Sequence, residues 1–429
     1  MEEKQLKTKA ILPDEHKYLT FLKKVFRHEF RKNSFRRFST PNLLHLEDLK
    51  NIFWDRYSDY VYSMNIDWFW DFCFKPNPSI PTLKWYIENE LSELSQPVYS
   101  YYMDSFYPKN NEYIKWIGLF WGDVIWEDDP IIDAQLIFIT YSILKKIGLA
   151  DSIKISINSV WSKKEQAKFI EELQNFYEDK KHLLTEESKL DLESNPLKLL
   201  NPKSEDEEIL LEKAPKITKF LKKDSKKHYT SLKEYLDILD VPYIEDSSLV
   251  WDYNYINNSV WEFRLIDSDD RISSGYRYNT LATKLWSEKD IPASGFSVDV
   301  FRIIDLLKEK NIKIKDKDEL DLFFVQLWDD AKKVVLPLSL AARDAWINTA
   351  VSLWTPSMKE QMLKANRSGA KYVVMVWIME ARNWIFQVRN TIDWTQTEVK
   401  KEDLIDYIVE KIWKDKLDFY EPSRDLLTD

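Results

Sequence analysis

The chain has 429 residues, 44% of them hydrophobic and 31% charged, with a formal net charge of -10. It is long enough for two or three packed domains, and too acidic to be a wholly basic nucleic-acid binder, though a local basic patch on an acidic body stays open. Cys73 is the only cysteine, which excludes an internal disulfide and points to a reducing, cytoplasmic setting. Met1 to Glu15 has no apolar core of a signal peptide, and Ile131 to Leu144, the most apolar run, carries Asp133 and Gln135 and is too short to span a bilayer.

In chain order, Pro13-Asp14-Glu15 opens a segment with Leu19, Leu22, Val25, Phe26 and Phe30 at helical spacing, which predicts a capped amphipathic helix over 13–31. Phe35 to Thr40 alternates like a strand and ends at Pro41. Val98 to Tyr102 and Ile117 to Ile125 predict antiparallel strands joined by a polar hairpin at Pro108 to Glu112. A buried helix is expected over 131–147 and a strand over Ile153 to Val160.

Residues 162–228 are highly charged and helical, and predict an inserted module. Strand-like segments return over Val250 to Leu265, and Phe296 to Leu307 runs into a helix. The polar stretch Lys308 to Glu319 marks a boundary. Beyond it Phe323 to Leu327, Leu336 to Ala345, Lys359 to Ala370, Tyr372 to Val376 and Leu404 to Trp413 alternate strand and helix, predicting a small α/β domain. The division expected is 1–161, 162–228, 229–318 and 319–429.

Several stretches together resemble histidyl-tRNA synthetases. Asn195-Pro196-Leu197-Lys198-Leu199-Leu200-Asn201-Pro202-Lys203 is similar to the family's N-P-L-R-I-L-D-S-K, and Ala214-Pro215-Lys216-Ile217 to its A-P-x-I. Lys227-His228-Tyr229, with Leu232 and Leu236, resembles the helix leading to the histidine site. Val98 to Ile125 resembles the motif 2 hairpin of class II synthetases, and Pro292 to Arg302 resembles motif 3. Ser357 to Gln361, Ala365, Gly369-Ala370 and Gln396 follow the anticodon-binding domain. The resemblance covers about residues 6–412 and implies an α+β fold: an antiparallel-sheet catalytic core, a helical insertion and a C-terminal α/β anticodon-binding domain. It also implies a homodimer, with Pro41 at the interface proline of motif 1, and tRNA, not DNA, as partner. Lys359, Lys364, Arg367, Lys371 and Arg382 are the expected tRNA contacts.

Activation of an amino acid by ATP builds negative charge on the α-phosphate, which planar arginine forks bind bidentately. The family supplies one from F-R-x-E and one from L-V-R-G-L-D-Y-Y. Here those stretches read Ser105-Phe106-Tyr107-Pro108-Lys109-Asn110 and Leu249-Val250-Trp251-Asp252-Tyr253-Asn254-Tyr255, and no arginine occurs between Arg56 and Arg264. Lys75, Lys109 and Lys115 offer point charges in that interval, not forks. The family's L-R-P-E-G-T appears as Phe74-Lys75-Pro76-Asn77-Pro78-Ser79, and its motif 2 glutamine and glutamate fall at Leu119 and Asp123. Tyr276-Arg277-Tyr278-Asn279 resembles G-R-Y-D, so Asn77, Ser79, Leu119, Asp123, Trp251 and Tyr278 are the altered histidine-pocket positions. Arg302 matches the motif 3 arginine that holds ATP. The resemblance implies ATP and Mg as cofactors if the chain is active, and assigns no protein-held metal.

There are 18 Trp and 6 Gly, where average usage gives about 30 Gly in a chain this long. Trp121, Trp126, Trp161, Trp286, Trp328, Trp346, Trp377 and Trp384 stand where the family typically has glycine. Glycine serves at such places for positive φ or close backbone approach. The simplest expectation is a gene whose host reads UGA as glycine. Trp251 is a further tryptophan in a motif, but glycine there would still not be arginine. Three functions follow from the resemblance: a non-catalytic paralogue with a tRNA-binding or regulatory role, an active histidine–tRNA ligase with a divergent site, and a regulatory subunit similar to that of ATP phosphoribosyltransferase.

Overall fold

The computed structural model describes residues 11–53, 57–66, 70–109, 117–160, 163–251, 253, 255–312, 314, 320–352 and 357–420, with backbone alone at 65–66, 70, 163–164, 166 and 413–420. Trp161, Lys115, residues 110–112 of the expected hairpin and most of 313–319 lie outside the described residues. The chain forms two compact units, Met1–Lys313 and Ile314–Asp429.

The first unit opens with α1 (Pro13–Lys32), β1 (Arg36–Arg37), β2 (Leu43–His45), α2 (Leu46–Phe53), α3 (Tyr57–Tyr60), β3 (Ser63–Ile66), β4 (Trp70–Phe74) and α4 (Ser79–Glu88). Then come β5 (Val98–Phe106), β6 (Ile117–Ile125), α5 (Ile131–Lys146) and β7 (Ile153–Val160). A run of helices follows: α6 (Lys163–Glu178), α7 (Glu186–Ser194), a 3-10 turn over Pro196–Leu200, α8 (Glu205–Lys213) and α9 (Lys223–Ile238). The unit closes with β8 (Ile244–Glu245), β9 (Asn257–Leu265), β10 (Arg271–Arg277), α10 (Leu281–Lys284), β11 (Ala293–Asp299) and α11 (Val300–Glu309).

Eight strands make one sheet in the order β1-β5-β6-β11-β10-β9-β7-β8, antiparallel throughout its interior and parallel at the two outer pairs. The stripe foreseen on α1 packs on this sheet: Leu22, Phe26 and Phe30 are buried, with Phe26 4.2 Å from Phe120 and Phe30 stacked 4.6 Å from Tyr101. Strand β6 is buried from Leu119 to Ile125 because helices and neighbouring strands cover both faces. In the helical run, Thr185, Asn195 and Ser204 accept backbone amides as caps, so the segment that resembles N-P-L-R-I-L-D-S-K is held by its own Asn195.

Two expectations are corrected in detail. The strand foreseen over Phe35 to Thr40 is only Arg36–Arg37, because Phe35 and Phe38 alternate to pack on Tyr99 and Tyr102 of β5 rather than to extend a ladder. The strand foreseen from Val250 begins at Asn257; Leu249, Tyr255 and Ile256 are buried as a loop over the core. Helix α9 starts at Lys223 and runs through residue 228 without a break.

The second unit holds β12 (Leu322–Gln326), α12 (Trp328–Asp344), β13 (Thr349–Val351), α13 (Met358–Arg367), β14 (Tyr372–Val376), α14 (Ile378–Asn383), β15 (Ile385–Asn390), β16 (Gln396–Lys400) and α15 (Leu404–Tyr420). Its five-stranded sheet runs β13-β12-β14-β15-β16, parallel over the first three strands and antiparallel beyond. Helix α12 begins at Trp328, eight residues before the helix foreseen at Leu336, and contains Pro337. Burial of Ala331, Val334, Val335 and Leu338 against the sheet outweighs the amide that Pro337 lacks.

Six of the described tryptophans sit at positive φ: Trp126 (79°), Trp286 (68°), Trp328 (68°), Trp346 (61°), Trp384 (56°) and Trp394 (60°). Five of these are among the eight singled out from the sequence. Trp394 is new, and no motif covers it. Trp346 is 85% exposed and Trp286 66%, so these indoles do not offset their backbone conformation by burial. Trp121 and Trp377 differ: both have ordinary φ, Trp121 is buried, and the Trp377 indole nitrogen is buried without a partner among the described residues. No described helix is long and apolar enough to cross a membrane.

Candidate active-site cleft

Strands β6, β9, β10 and β11 carry a cleft of about 420 Å³ in the first unit. Ser273, Ser274 and Ser297 line it together with Asn77, Leu119, Trp121, Trp251, Tyr253 and Tyr276. Lys109, Arg264 and Arg271 bring positive charge to its rim. Asp299, the one carboxylate on it among the described residues, caps α11 by accepting the amides of Phe301 (3.0 Å) and Arg302 (3.1 Å).

The histidine-pocket positions divide into two groups. Asn77, Leu119 and Trp251 line the cleft; Ser79, Asp123 and Tyr278 lie behind it. The polar members satisfy one another. Asn77 donates to the Tyr255 hydroxyl (3.0 Å) and accepts from the Ser79 hydroxyl (3.1 Å), and Ser79 lies 3.0 Å from the Tyr276 hydroxyl. Asp123 accepts from the Tyr278 hydroxyl and the Trp121 indole, and all three side chains are buried.

Burial pushes the Asp123 carboxyl up to about 8, against the pull of the Tyr278 and Trp121 hydrogen bonds. The sign of the linkage follows. In the unfolded chain the carboxyl ionises near its ordinary value, whereas the folded state holds the proton until about pH 8, so Asp123 lowers stability progressively as pH rises between those values. Asp123→Asn, which cannot ionise, is therefore expected to gain on the parent in thermal stability between pH 5 and 8, at a limiting slope of about 1.4 kcal/mol per pH unit. A gap between the two proteins that stays constant or narrows with rising pH contradicts this environment for Asp123.

The lysines foreseen as point charges are not equivalent. Lys75 is fully buried, paired with Asp104, and bonded to the Thr40 hydroxyl at 3.3 Å; burial lowers its pKa against the opposing effect of Asp104. It is therefore a structural ion and does not face the cleft. Lys109 lines the cleft and donates to the Ser58 carbonyl. Arg302, expected to hold ATP, is not among the cleft residues: its guanidinium bonds Glu309 (3.0 Å) and Asp270 (2.9 Å). Cys73 is buried and its thiol is pushed up to about 12, chiefly by burial, so it is no nucleophile.

Sequence reasoning missed Arg264 and Arg271. They face each other across the β9–β10 pair, and Glu262 lies between them, accepting from Arg264 Nε at 2.7 Å and from Arg271 Nη1 at 3.1 Å. The signal was present as Glu262-x-Arg264, a same-face pair on a strand, followed by a polar turn and Arg271. Behind the cleft, Arg277 and Asp133 are both fully buried. Arg277 holds Asp133 with two bonds of 3.1 and 2.9 Å and the carbonyls of Glu127 and Asp129 with two more. His228 of α9 reaches the same carboxylate at 2.9 Å, and Ser294 donates to it at 2.6 Å. Burial alone would raise Asp133, but the Arg277 charge and the His228 bond hold it well below the usual carboxylate range.

In the second unit, Lys359, Lys364 and Arg367 lie on the exposed side of α13, and Arg382 is exposed on α14. Lys364 and Arg367 are three residues apart and share a face. Lys371 differs: it pairs at 3.1 Å with buried Asp321, and so is tied to the domain's own structure. Gln361 explains part of the pattern read at Ser357 to Gln361. Its amide exchanges two bonds with the backbone of Gln326, 2.9 and 2.6 Å, and fixes α13 to the end of β12.

No model of a known protein family matches the chain. A histidine–tRNA ligase of Halothermothrix orenii is 31% identical over 281 residues, 65% of this chain and 67% of the relative. One from Streptococcus pyogenes is 25% identical over 413 residues, 93% and 95% of the two chains. Among solved structures, apo histidyl-tRNA synthetase of S. aureus matches with a TM-score of 0.75 at 23% identity, over 95% of this chain and 99% of that one. A structure from Bacillus halodurans, described as an ATP phosphoribosyltransferase regulatory subunit/histidyl-tRNA synthetase, matches with a TM-score of 0.63 at 16% identity, over 88% and 98%. The α+β arrangement expected from the sequence, with its class II-type core and C-terminal α/β domain, is that of the S. aureus structure.

Proposed function

The chain belongs to the histidine–tRNA ligase family, and from that premise we propose that it is a non-catalytic member which keeps a tRNA-binding body but does not activate histidine. One observation supports this reading: Pro108, Lys109, Leu119 and Trp251 line the cleft, and they belong to the stretches that resemble the family's arginine and glutamine motifs without carrying those residues. The closed bonding of Asn77, Ser79, Tyr255 and Tyr276 supports it, because polar groups already paired with one another do not recognise an incoming imidazole. A second reading, an active ligase with a rearranged site, draws its support from Arg264 and Arg271 on the same cleft. The proposed partners are tRNA and a second copy of the chain, with exposed Pro41 at the family's interface position.

Filter binding of bulk tRNA to the full chain tests the retained half of this proposal. Retention is expected at low salt and should fall steeply as salt rises, because each phosphate contact releases counterions. Charge reversal at Lys359 and Arg367, exposed on α13, should weaken retention at every salt concentration. Absence of retention of any tRNA at low salt overturns the proposal.

A further inference from the structure

We infer that Lys75 is a positioning residue: it ties the surface segment 40–42 to two stretches that line the cleft, so that association of two copies at that segment sets how firmly the cleft is held. The inference rests on the proposal that a second copy is a partner, with Pro41 on the shared face. It adds the residue through which that contact is felt inside the unit.

Residue 75 meets three parts of the chain at once. Its amide donates to the Asn42 carbonyl at 3.2 Å, and its carbonyl accepts the Tyr107 amide at 3.1 Å. Its ammonium, fully buried, donates to the Thr40 hydroxyl at 3.3 Å and pairs with Asp104 of β5. The Phe106 and Tyr102 rings flank the nitrogen, with centroids at 4.9 and 5.9 Å.

The chain changes role on either side of this junction. Thr40 is buried, whereas Pro41 and Asn42 are exposed, a few residues beyond β1 at the edge of the eight-stranded sheet. In the other direction, Pro76, Asn77 and Pro78 follow Lys75 directly and line the cleft. Pro108 and Lys109 follow Tyr107 and line it too. Residues 38–42 lie in no helix or strand, so their place depends on side bonds such as these. A displacement at 40–42 therefore reaches both cleft-lining stretches through a contiguous set of hydrogen bonds.

A lysine is an expensive way to fill this space. A buried ammonium gives up its hydration, and an apolar side chain of equal length would pack there at lower cost. What the ammonium offers is direction: its donors are fixed on a hydroxyl from one segment and a carboxylate from another, which admits few arrangements of the two. Asp104 stays 26% exposed, so the lysine alone is committed to the interior.

Sedimentation and amide hydrogen exchange of the full chain, each across a range of protein concentration, test the inference. In the parent, peptides covering 74–83 and 103–109 are expected to exchange about tenfold more slowly in the associated form than in the single chain. Lys75→Met, which keeps the length and loses the charge, should lose that difference at concentrations where sedimentation still shows association. Lys332→Gln, exposed in the second unit, should match the parent. Where Lys75→Met fails to fold, Thr40→Val, which removes the hydroxyl alone, decides by the same difference. An associated parent whose exchange in these peptides ignores concentration overturns the inference. So does a Lys75→Met chain that exchanges faster by the same factor at every concentration, as it would if the lysine served the fold alone. A parent that stays single at every concentration overturns the second-copy partner as well, and sedimentation tells the two failures apart.

Discussion

Peptides from the protein made in its own host, spanning residues 286, 328, 346 and 384, are expected to carry glycine where the chain reads tryptophan. The same is expected at 121, 126, 161 and 377, and the structure adds 394. A left-handed backbone costs an ordinary side chain about 1–2 kcal/mol. Six of the described tryptophans occupy it here, four of them in the unit Ile314–Asp429. Four such residues sum to roughly 4–8 kcal/mol, which approaches the whole stability of a typical domain. Glycine's greater freedom in the unfolded chain returns part of that, but several kcal/mol remain. Replacing Trp328, Trp346, Trp384 and Trp394 by glycine in chain made under the standard code should therefore raise its unfolding temperature by several degrees or more. Tryptophan-containing masses at these sites in the native protein, or UGG codons in its gene, end the recoding idea. A quadruple variant no more stable than its parent removes its physical basis.

Histidine-dependent ATP–pyrophosphate exchange is expected to be absent. Removal of a single donor to a developing oxyanion lowers turnover by about 10²–10³, and on the proposed reading two arginine forks are lost together. The stretch Phe106–Lys109 presents a buried phenylalanine, then Tyr107, Pro108 and Lys109, and Trp251 takes the second place. Lys109 supplies charge without the fork. Losses at independent contacts multiply, which puts any residual rate roughly four to six orders of magnitude down. Leu119 adds a further loss, since it can neither donate nor accept. Exchange at the rates of ordinary synthetases would reverse this and would make Arg264 and Arg271 the groups that replace the missing forks.

The strands β5 and β6 were legible from the aromatic and aliphatic residues concentrated in Val98–Tyr102 and Ile117–Ile125, and the helix α1 because its apolar stripe keeps one period. The loop ahead of β9 was not, since Leu249, Tyr255 and Ile256 look like strand residues yet are buried one by one over the core. The cleft positions Asn77, Leu119 and Trp251 were legible from the motif stretches they belong to. The internal closure of the pocket was not: that Asn77 bonds Tyr255 across 178 positions is a fact of packing. Arg264 and Arg271 escaped notice because an arginine pair exists only once the hairpin register is known. Five left-handed tryptophans could be read from glycine positions, while Trp394 stands in a turn outside every motif.

The buried knot of Arg277, Asp133 and His228 bears on how such a chain changes over generations. Removing one partner of a buried ion pair strands the other charge without water, at a cost of about 3–5 kcal/mol, whereas replacing both together by apolar groups is often harmless. A solvent-facing arginine that serves only a substrate has no such guard, and its loss leaves the fold intact. Single substitutions can therefore erase a catalytic cleft one residue at a time while the internal charges stay locked, each barred from leaving before the other. Arg277, bonded to Asp133 and to two backbone carbonyls, is guarded in this way.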